Sequence, residues 1–210
     1  MTHESKKILD SLNGETVGVF IDDGNIFHRQ KETGLYIDWK NFGLLLKKYC
    51  NVKFLKFYRG SYPNDWKIDV KIRENNNKFV KMLTGFGYEV VNRDIKKIFT
   101  NKEKTVFEYK CDFDAKIGFD IGRLLQEIQL IIVVTGDSDF SFLDSELGRL
   151  GKKSLVICHR YKAPWEFFRI THIFFEEIIE EIVYKHKNTG LKGPVKNTRT
   201  SLANIRRVVK

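Results

Sequence analysis

Cysteine is scarce in this chain. Cys50, Cys111 and Cys158 lie far apart, their number is odd, and no C-x-x-C pair exists. That excludes a disulfide framework and a cysteine-based structural zinc site. Proline is scarcer still for the length, at three in 210 residues. A Pro-rich disordered chain is excluded. Long apolar runs are missing too. The clearest one, Leu130 to Val134, falls far short of the roughly 20 residues that span a bilayer. The residues after Met1 lead into no long apolar stretch, so no secretory signal is visible. The expectation is a soluble cytoplasmic protein with no membrane partner. Acidic residues are absent beyond Glu181.

What the chain does have is enough apolar mass for a core. Hydrophobic residues make up 42%, with 17 Phe. The formal net charge is +10, and residues 185–210 carry eight basic residues and no acid. Most of the basic character is therefore a property of that tail, which suits a polyanion, nucleic acid first, or else serves only solubility. The apolar periodicity stops near Lys185. The division expected is a globular domain over 1–184 and a basic tail over 185–210 that includes Arg206 and Arg207.

Strand-like and helix-like segments alternate along the domain. Short apolar runs read as buried strands at Thr16–Asp22, Val52–Tyr58, Tyr88–Val91, Leu130–Thr135 and Ser154–Cys158. Asp38 can cap a helix over Trp39–Tyr49. Pro63 and Asn64 can open a long helix closed by Gly85 and Gly87. Asp114–Gln126 and Phe140–Leu150 read as further helices. Between them, Lys96 to Tyr109 holds two β-like pieces around a polar turn, either a hairpin or a mobile loop. Strands joined by helices predict an α/β fold, a three-layer sandwich around a central, mostly parallel sheet. Near-continuous apolar strands fit a sheet covered on both faces.

Two of those strands end in carboxylates. One runs into Asp22-Asp23-Gly24-Asn25, the other into Thr135-Gly136-Asp137-Ser138-Asp139. Ligands of open parallel sheets bind beyond the carboxyl ends of the strands, where strand order reverses. If the two strands are neighbours, Asp22, Asp137 and Asp139 converge there, and Asp114 can reach the same crevice from its helix start. Several ionised carboxylates in one place repel unless a cation or protons are bound. Hard oxygen ligands suit Mg²⁺ or Mn²⁺, and such an ion lowers the pKa of a water it holds. The plainer alternative is capping, with Asp114 and Asp139 each closing the N-terminus of its own helix.

Three segments in order, Val17 to Phe27, Lys110 to Asp120 and Val133 to Phe140, resemble the NYN domain, the LabA-like branch of the PIN-like nucleases. The resemblance covers roughly residues 16–182. It implies a PIN-like fold and metal-dependent hydrolysis of RNA phosphodiester bonds, with Mg²⁺ or Mn²⁺ as cofactor. It casts Asp22, Asp114, Asp137 and Asp139 as the metal-binding and catalytic acids, with Asn25, Asp120, Thr135, Ser138 and Lys110 in support. Two departures stand out. Asp23 occupies a position where Gly is common, and the step from Lys110 to Asp114 is four where three is also frequent. Neither removes an acid.

Lys96, Lys97, Lys102 and Lys104, interleaved with Phe99, Phe107 and Tyr109, suit single-stranded RNA. The alternative is a solvated hairpin with its aromatics in the core. Arg59, just after a strand, is a further candidate contact at the crevice rim. A second copy of the chain is an admissible partner. No G-x-G-x-x-G or Walker pattern appears, so no small-molecule cofactor is expected. A receiver domain and a haloacid-dehalogenase-like phosphatase fit the placement of the acids less well. Two functional classes remain: a metal-dependent ribonuclease, and a non-catalytic RNA-binding or regulatory protein whose acids hold a structural ion.

Overall fold

The computed structural model describes residues 1–63, 66, 68–102 and 105–183. The basic tail at 185–210, with Arg206 and Arg207, lies outside the described residues, as does Lys104. Six strands form one parallel sheet: β1 (Thr16–Asp22), β2 (Asn51–Ser61), β3 (Glu89–Asp94), β6 (Leu130–Val134), β7 (Lys153–Cys158) and β8 (His172–Phe174). The order across the sheet is β3-β2-β1-β6-β7-β8, every pair parallel. Strands β4 (Lys96–Phe99) and β5 (Phe107–Lys110) make the expected hairpin, a separate antiparallel ribbon.

The sheet alternates its burial between two apolar layers. Val17, Val19 and Ile21 of β1 face one layer and Phe20 the other. Under the first lie α1 (His3–Asp10), α2 (Asp23–Thr33), α3 (Trp39–Tyr49), α4 (Val70–Gly85) and α7 (Phe175–Ile182). Under the second lie α5 (Asp114–Leu124) and α6 (Ser141–Arg149). This is the three-layer α/β sandwich the sequence predicts. No helix among the described residues is long and apolar enough to cross a membrane.

Local chemistry explains most boundaries. The Asp38 carboxylate accepts from the Asn41 backbone N–H at 3.1 Å, which starts α3 as expected. The opening of α4 differs from expectation. Asp69, not Pro63 or Asn64, caps it, accepting from the Lys71 N–H at 2.8 Å. The chain ahead of it is held by Arg73, whose guanidinium donates to the carbonyls of Tyr62, Pro63 and Trp66 at 3.2, 2.6 and 2.7 Å. These bonds hold residues 62, 63 and 66 in a turn ahead of the helix, where the Pro63 and Trp66 carbonyls also accept the backbone N–H groups of Trp66 and Ile68 at 3.2 and 2.9 Å. Gly87, at φ +91°, lets the chain leave α4 for β3.

Candidate metal and nucleic-acid site

Strands β1 and β6 are adjacent, and strand order reverses between them. β2 and β3 extend to one side, β7 and β8 to the other. Ile21 lies opposite Val134, so Asp22 and Thr135 leave the sheet at the same level. The two strands that end in carboxylates are thus neighbours at the switch point.

Asp22 is 5% exposed. Its Oδ2 accepts from Asn25 Nδ2 at 2.5 Å and from Thr135 Oγ1 at 3.3 Å. Thr135 Oγ1 in turn accepts the Asp137 backbone N–H at 3.1 Å. Asn25 and Thr135 thus orient Asp22 and tie it to the loop carrying Asp137. Burial raises the Asp22 carboxyl above its ordinary value. Hydrogen bonds to Asn25 and Thr135 partly oppose the shift, and the Asp137 charge adds to it.

The capping alternative fails for the two residues that raised it. The cap ahead of α6 belongs to Asp137, whose carboxylate accepts from the Asp139 N–H at 3.1 Å. At the start of α5 the acceptor is Asp112, which takes the Asp114 N–H at 3.1 Å. Neither Asp114 nor Asp139 has to close a helix. Both line a shallow groove of about 120 Å³ with Gly118, Phe140 and Leu143. The Asp114 carboxyl is pushed up to about 6, by burial first and then by the charges of Asp112, Asp137 and Asp22. Asp22, Asp114 and Asp137 therefore sense one another, and Asp139 shares a groove with one of them.

Among the described residues, no three carboxylate, histidine or cysteine side chains stand together in a ready metal-binding arrangement. The donor set still fits a hard divalent cation. Mg²⁺ keeps several waters and needs only one or two direct carboxylates, and the mutual repulsion around Asp114 is the kind a cation relieves. That repulsion predicts a stability effect. A carboxyl raised from 3.8 to about 6 keeps a proton that the unfolded chain gives up. The folded state loses stability as pH climbs through that window. In EDTA, Asp114→Asn is expected to raise stability at about pH 7.5 by on the order of 1 kcal/mol, allowing for solvent screening at a partly exposed group. At about pH 4 it should change little. Thermal melts at the two pH values check this; an equal effect at both would place the gain elsewhere.

Asp23 bears on the expectation for Arg59. Asp23 is buried, and its Oδ2 meets Arg59 Nη1 at 2.5 Å. Burial pushes the Asp23 carboxyl up to about 6, against the pull of Arg59. Arg59 also donates Nε to Asn76 at 2.9 Å and lies over the Phe79 ring at 4.5 Å. Its guanidinium is engaged within the domain by Asp23, Asn76 and the Phe79 ring. Asp23 is likewise engaged by its ion pair.

Asp120 also lies away from the groove. It is fully buried and receives Tyr58 Oη at 2.8 Å and Lys116 Nζ at 2.6 Å, with Lys56 at 3.5 Å and Arg123 at 3.6 Å. Lys110 sits on the exposed hairpin, 3.5 Å from Asp112. Ser138 is half-buried in the single turn after β6. Lys96, Lys97 and Lys102 are exposed on or beside the hairpin.

The NYN domain family matches residues 16–183. The chain belongs to that family. At the level of the family this gives it an RNA-related nuclease character. A relative is the low amplitude and bright protein LabA of Synechococcus elongatus, 20% identical over 124 residues. That alignment takes in 59% of this chain and spans 63% of LabA's own length. Among solved structures, a protein of unknown function from Vibrio parahaemolyticus matches with a TM-score of 0.61 and 19% identity. The match covers 81% of this chain and 98% of that one, and it shows a shared fold.

Proposed function

We propose that this NYN domain is a metal-dependent ribonuclease acting at the crevice between β1 and β6. The observation that supports the reading is the exit of Asp22 and Thr135 from neighbouring strands at the switch point, near enough to Asp114 that burial, then the charges of Asp112, Asp137 and Asp22, raise its carboxyl. A structural role alone does not require like charges to face one another.

Asp22, Asp114, Asp137 and Asp139 would hold one or two Mg²⁺ or Mn²⁺ ions. When bound, such an ion activates water and offsets the charge that builds on the phosphate. Asn25 and Thr135 fix the Asp22 carboxylate through their hydrogen bonds. Asp137 holds the turn that presents Asp139, through its bond to the Asp139 N–H. Ser138 lies in that turn and offers a hydroxyl to a ligand. Lys96, Lys97, Lys102 and Lys110 would neutralise phosphates of a bound RNA, and Arg206 and Arg207 of the tail would extend the contact.

A labelled single-stranded RNA incubated with the protein in Mn²⁺, Mg²⁺ or EDTA tests the reading. Cleavage in either metal and none in EDTA is the expected result. RNA bound without cleavage in any metal would favour the binding-protein alternative, with the acids holding a structural ion.

A further inference from the structure

The hairpin carries a surface that no part of the core explains. The register pairs Lys97 with Tyr109 and Phe99 with Phe107, so these four side chains share one face of the ribbon. Lys96, Ile98, Glu108 and Lys110 take the other face. A two-stranded ribbon has no second layer of its own, and the aromatic face is uncovered. Phe99, Phe107 and Tyr109 are 43%, 39% and 50% exposed. The alternative that buries these rings in the core does not hold.

The row continues off the hairpin onto two half-buried rings, Trp66 and Tyr62. Tyr109 stands 5.4 Å from Trp66 and 6.1 Å from Tyr62, ring centre to ring centre. On its other side Phe107 is 5.3 Å away, and Phe99 follows at 6.3 Å from Phe107. Five aromatic rings therefore form an unbroken row. Lys97 Nζ lies 3.7 Å above the Phe107 ring and 5.2 Å from that of Phe99. Among the described residues of this face there is no carboxylate. Glu108 projects from the reverse, and Asp94 and Asp112 line the groove there with Arg93, Lys96 and Lys110. Exposed aromatic faces of this extent mark binding surfaces.

We propose that this row is a base-stacking platform that selects single-stranded over duplex RNA and leads the strand to the acid cluster. The proposal rests on the ribonuclease reading for its substrate class, and it adds what that reading lacks, a reason to prefer unpaired bases. Every base presents a π-face, and unpaired bases can leave their own stack to lie on an aromatic side chain. A duplex keeps its bases inside and would find only the lysines. Placement supports delivery. Tyr109 is five residues from Asp114, a reach of at most about 17 Å, and the stem of the hairpin is anchored where Ile95 N–H donates to Ser61 O at 2.9 Å.

The test separates binding from cleavage. Anisotropy of a fluorescein-labelled oligoadenylate of about twelve nucleotides, alone or paired with oligouridylate, is measured in EDTA. Trp66→Ala combined with Tyr109→Ala is expected to weaken single-strand binding at least about tenfold. Duplex binding should fall less than about twofold, since the lysines that meet its backbone remain. Tyr109→Phe, which keeps the ring, should bind like the parent and shows that the hairpin still folds. Equal losses for single strand and duplex, or no loss, would overturn the platform. So would a dimer of the free protein that the double variant dissociates, which would assign the face to a second copy of the chain. These outcomes leave the nuclease reading untouched, because that reading stands or falls on metal-dependent cleavage.

Discussion

Asp22→Asn is expected to lower the rate of RNA cleavage at least about 10³-fold, while RNA binding in EDTA is retained. Among the groups singled out for the site, Asp22 combines burial at the switch point with two orienting partners. Its Oδ2 is fixed by Asn25 and Thr135. Asparagine keeps the size and most of the hydrogen bonding but removes the charge. A neutral amide is a poor ligand for a hard divalent cation. The contribution of such an ion is several kcal/mol of transition-state stabilisation, and each 1.36 kcal/mol is tenfold in rate. Stability should not fall. Burial raises the Asp22 carboxyl, so its ionised form is a burden on the metal-free fold. Single-turnover rates in Mn²⁺ with melts in EDTA check both halves. A variant that lost activity only because it unfolded would show it in the melt.

Asp120→Ala is expected to do the reverse, damaging the fold rather than the chemistry directly. Asp120 is fully buried and satisfies Tyr58, Lys116, Lys56 and Arg123 together. Burial alone would raise its carboxyl. Bonds from Lys116 and Tyr58 and the charge of Lys56 outweigh that and hold it low. Lys56 is itself only 3% exposed and keeps one other partner, Glu89 at 2.5 Å. Breaking a buried ion pair costs at most about 3–5 kcal/mol, the upper end applying only where the remaining charge is left without a partner. For a chain of this size that ceiling corresponds to a fall of roughly 6–20 °C in melting temperature. Because the Asp120 carboxyl is held low, its share of the stability is present at neutral pH and is lost as pH falls through the acid range. If Asp120 belonged to the catalytic set instead, Asp120→Asn would melt like the parent and fail to cleave.

These two residues show what the sequence could and could not reveal. Both are Asp in motif positions, and the family resemblance placed both at the site. Asp22 could also be located from topology alone, because a strand ending in an acid at a switch point must face the crevice. Asp120 could not, since its partners Tyr58 and Lys56 come from β2, more than 60 residues earlier. The same holds for Arg59, whose availability depends on whether β2 brings it against Asp23.

The central strands were legible because parallel strands buried on both faces are continuous apolar runs. Helix α3 was legible because Asp38 is a strong cap. Helix α2 carries no such signal, because Asp23, Gly24 and Asn25 look like turn residues, yet the helix starts directly from β1. Helices α1 and α7 do carry local signals. Thr2 caps α1 through the Ser5 N–H at 3.2 Å. Phe175, Ile178 and Ile182 of α7 recur at helical spacing and are buried. The hairpin was legible as two β-like pieces. That its aromatic face is uncovered was not, because burial is set by what the rest of the chain places above it.

The account is tested most directly by cleavage of one labelled single-stranded RNA in Mn²⁺ by the parent protein and by Asp114→Asn, in parallel with their melting curves. The result predicted is cleavage by the parent, none by the variant, and a variant that melts at or above the parent temperature near neutral pH. Equal cleavage by both proteins would contradict it and would show that the acids between β1 and β6 are not the site of the chemistry.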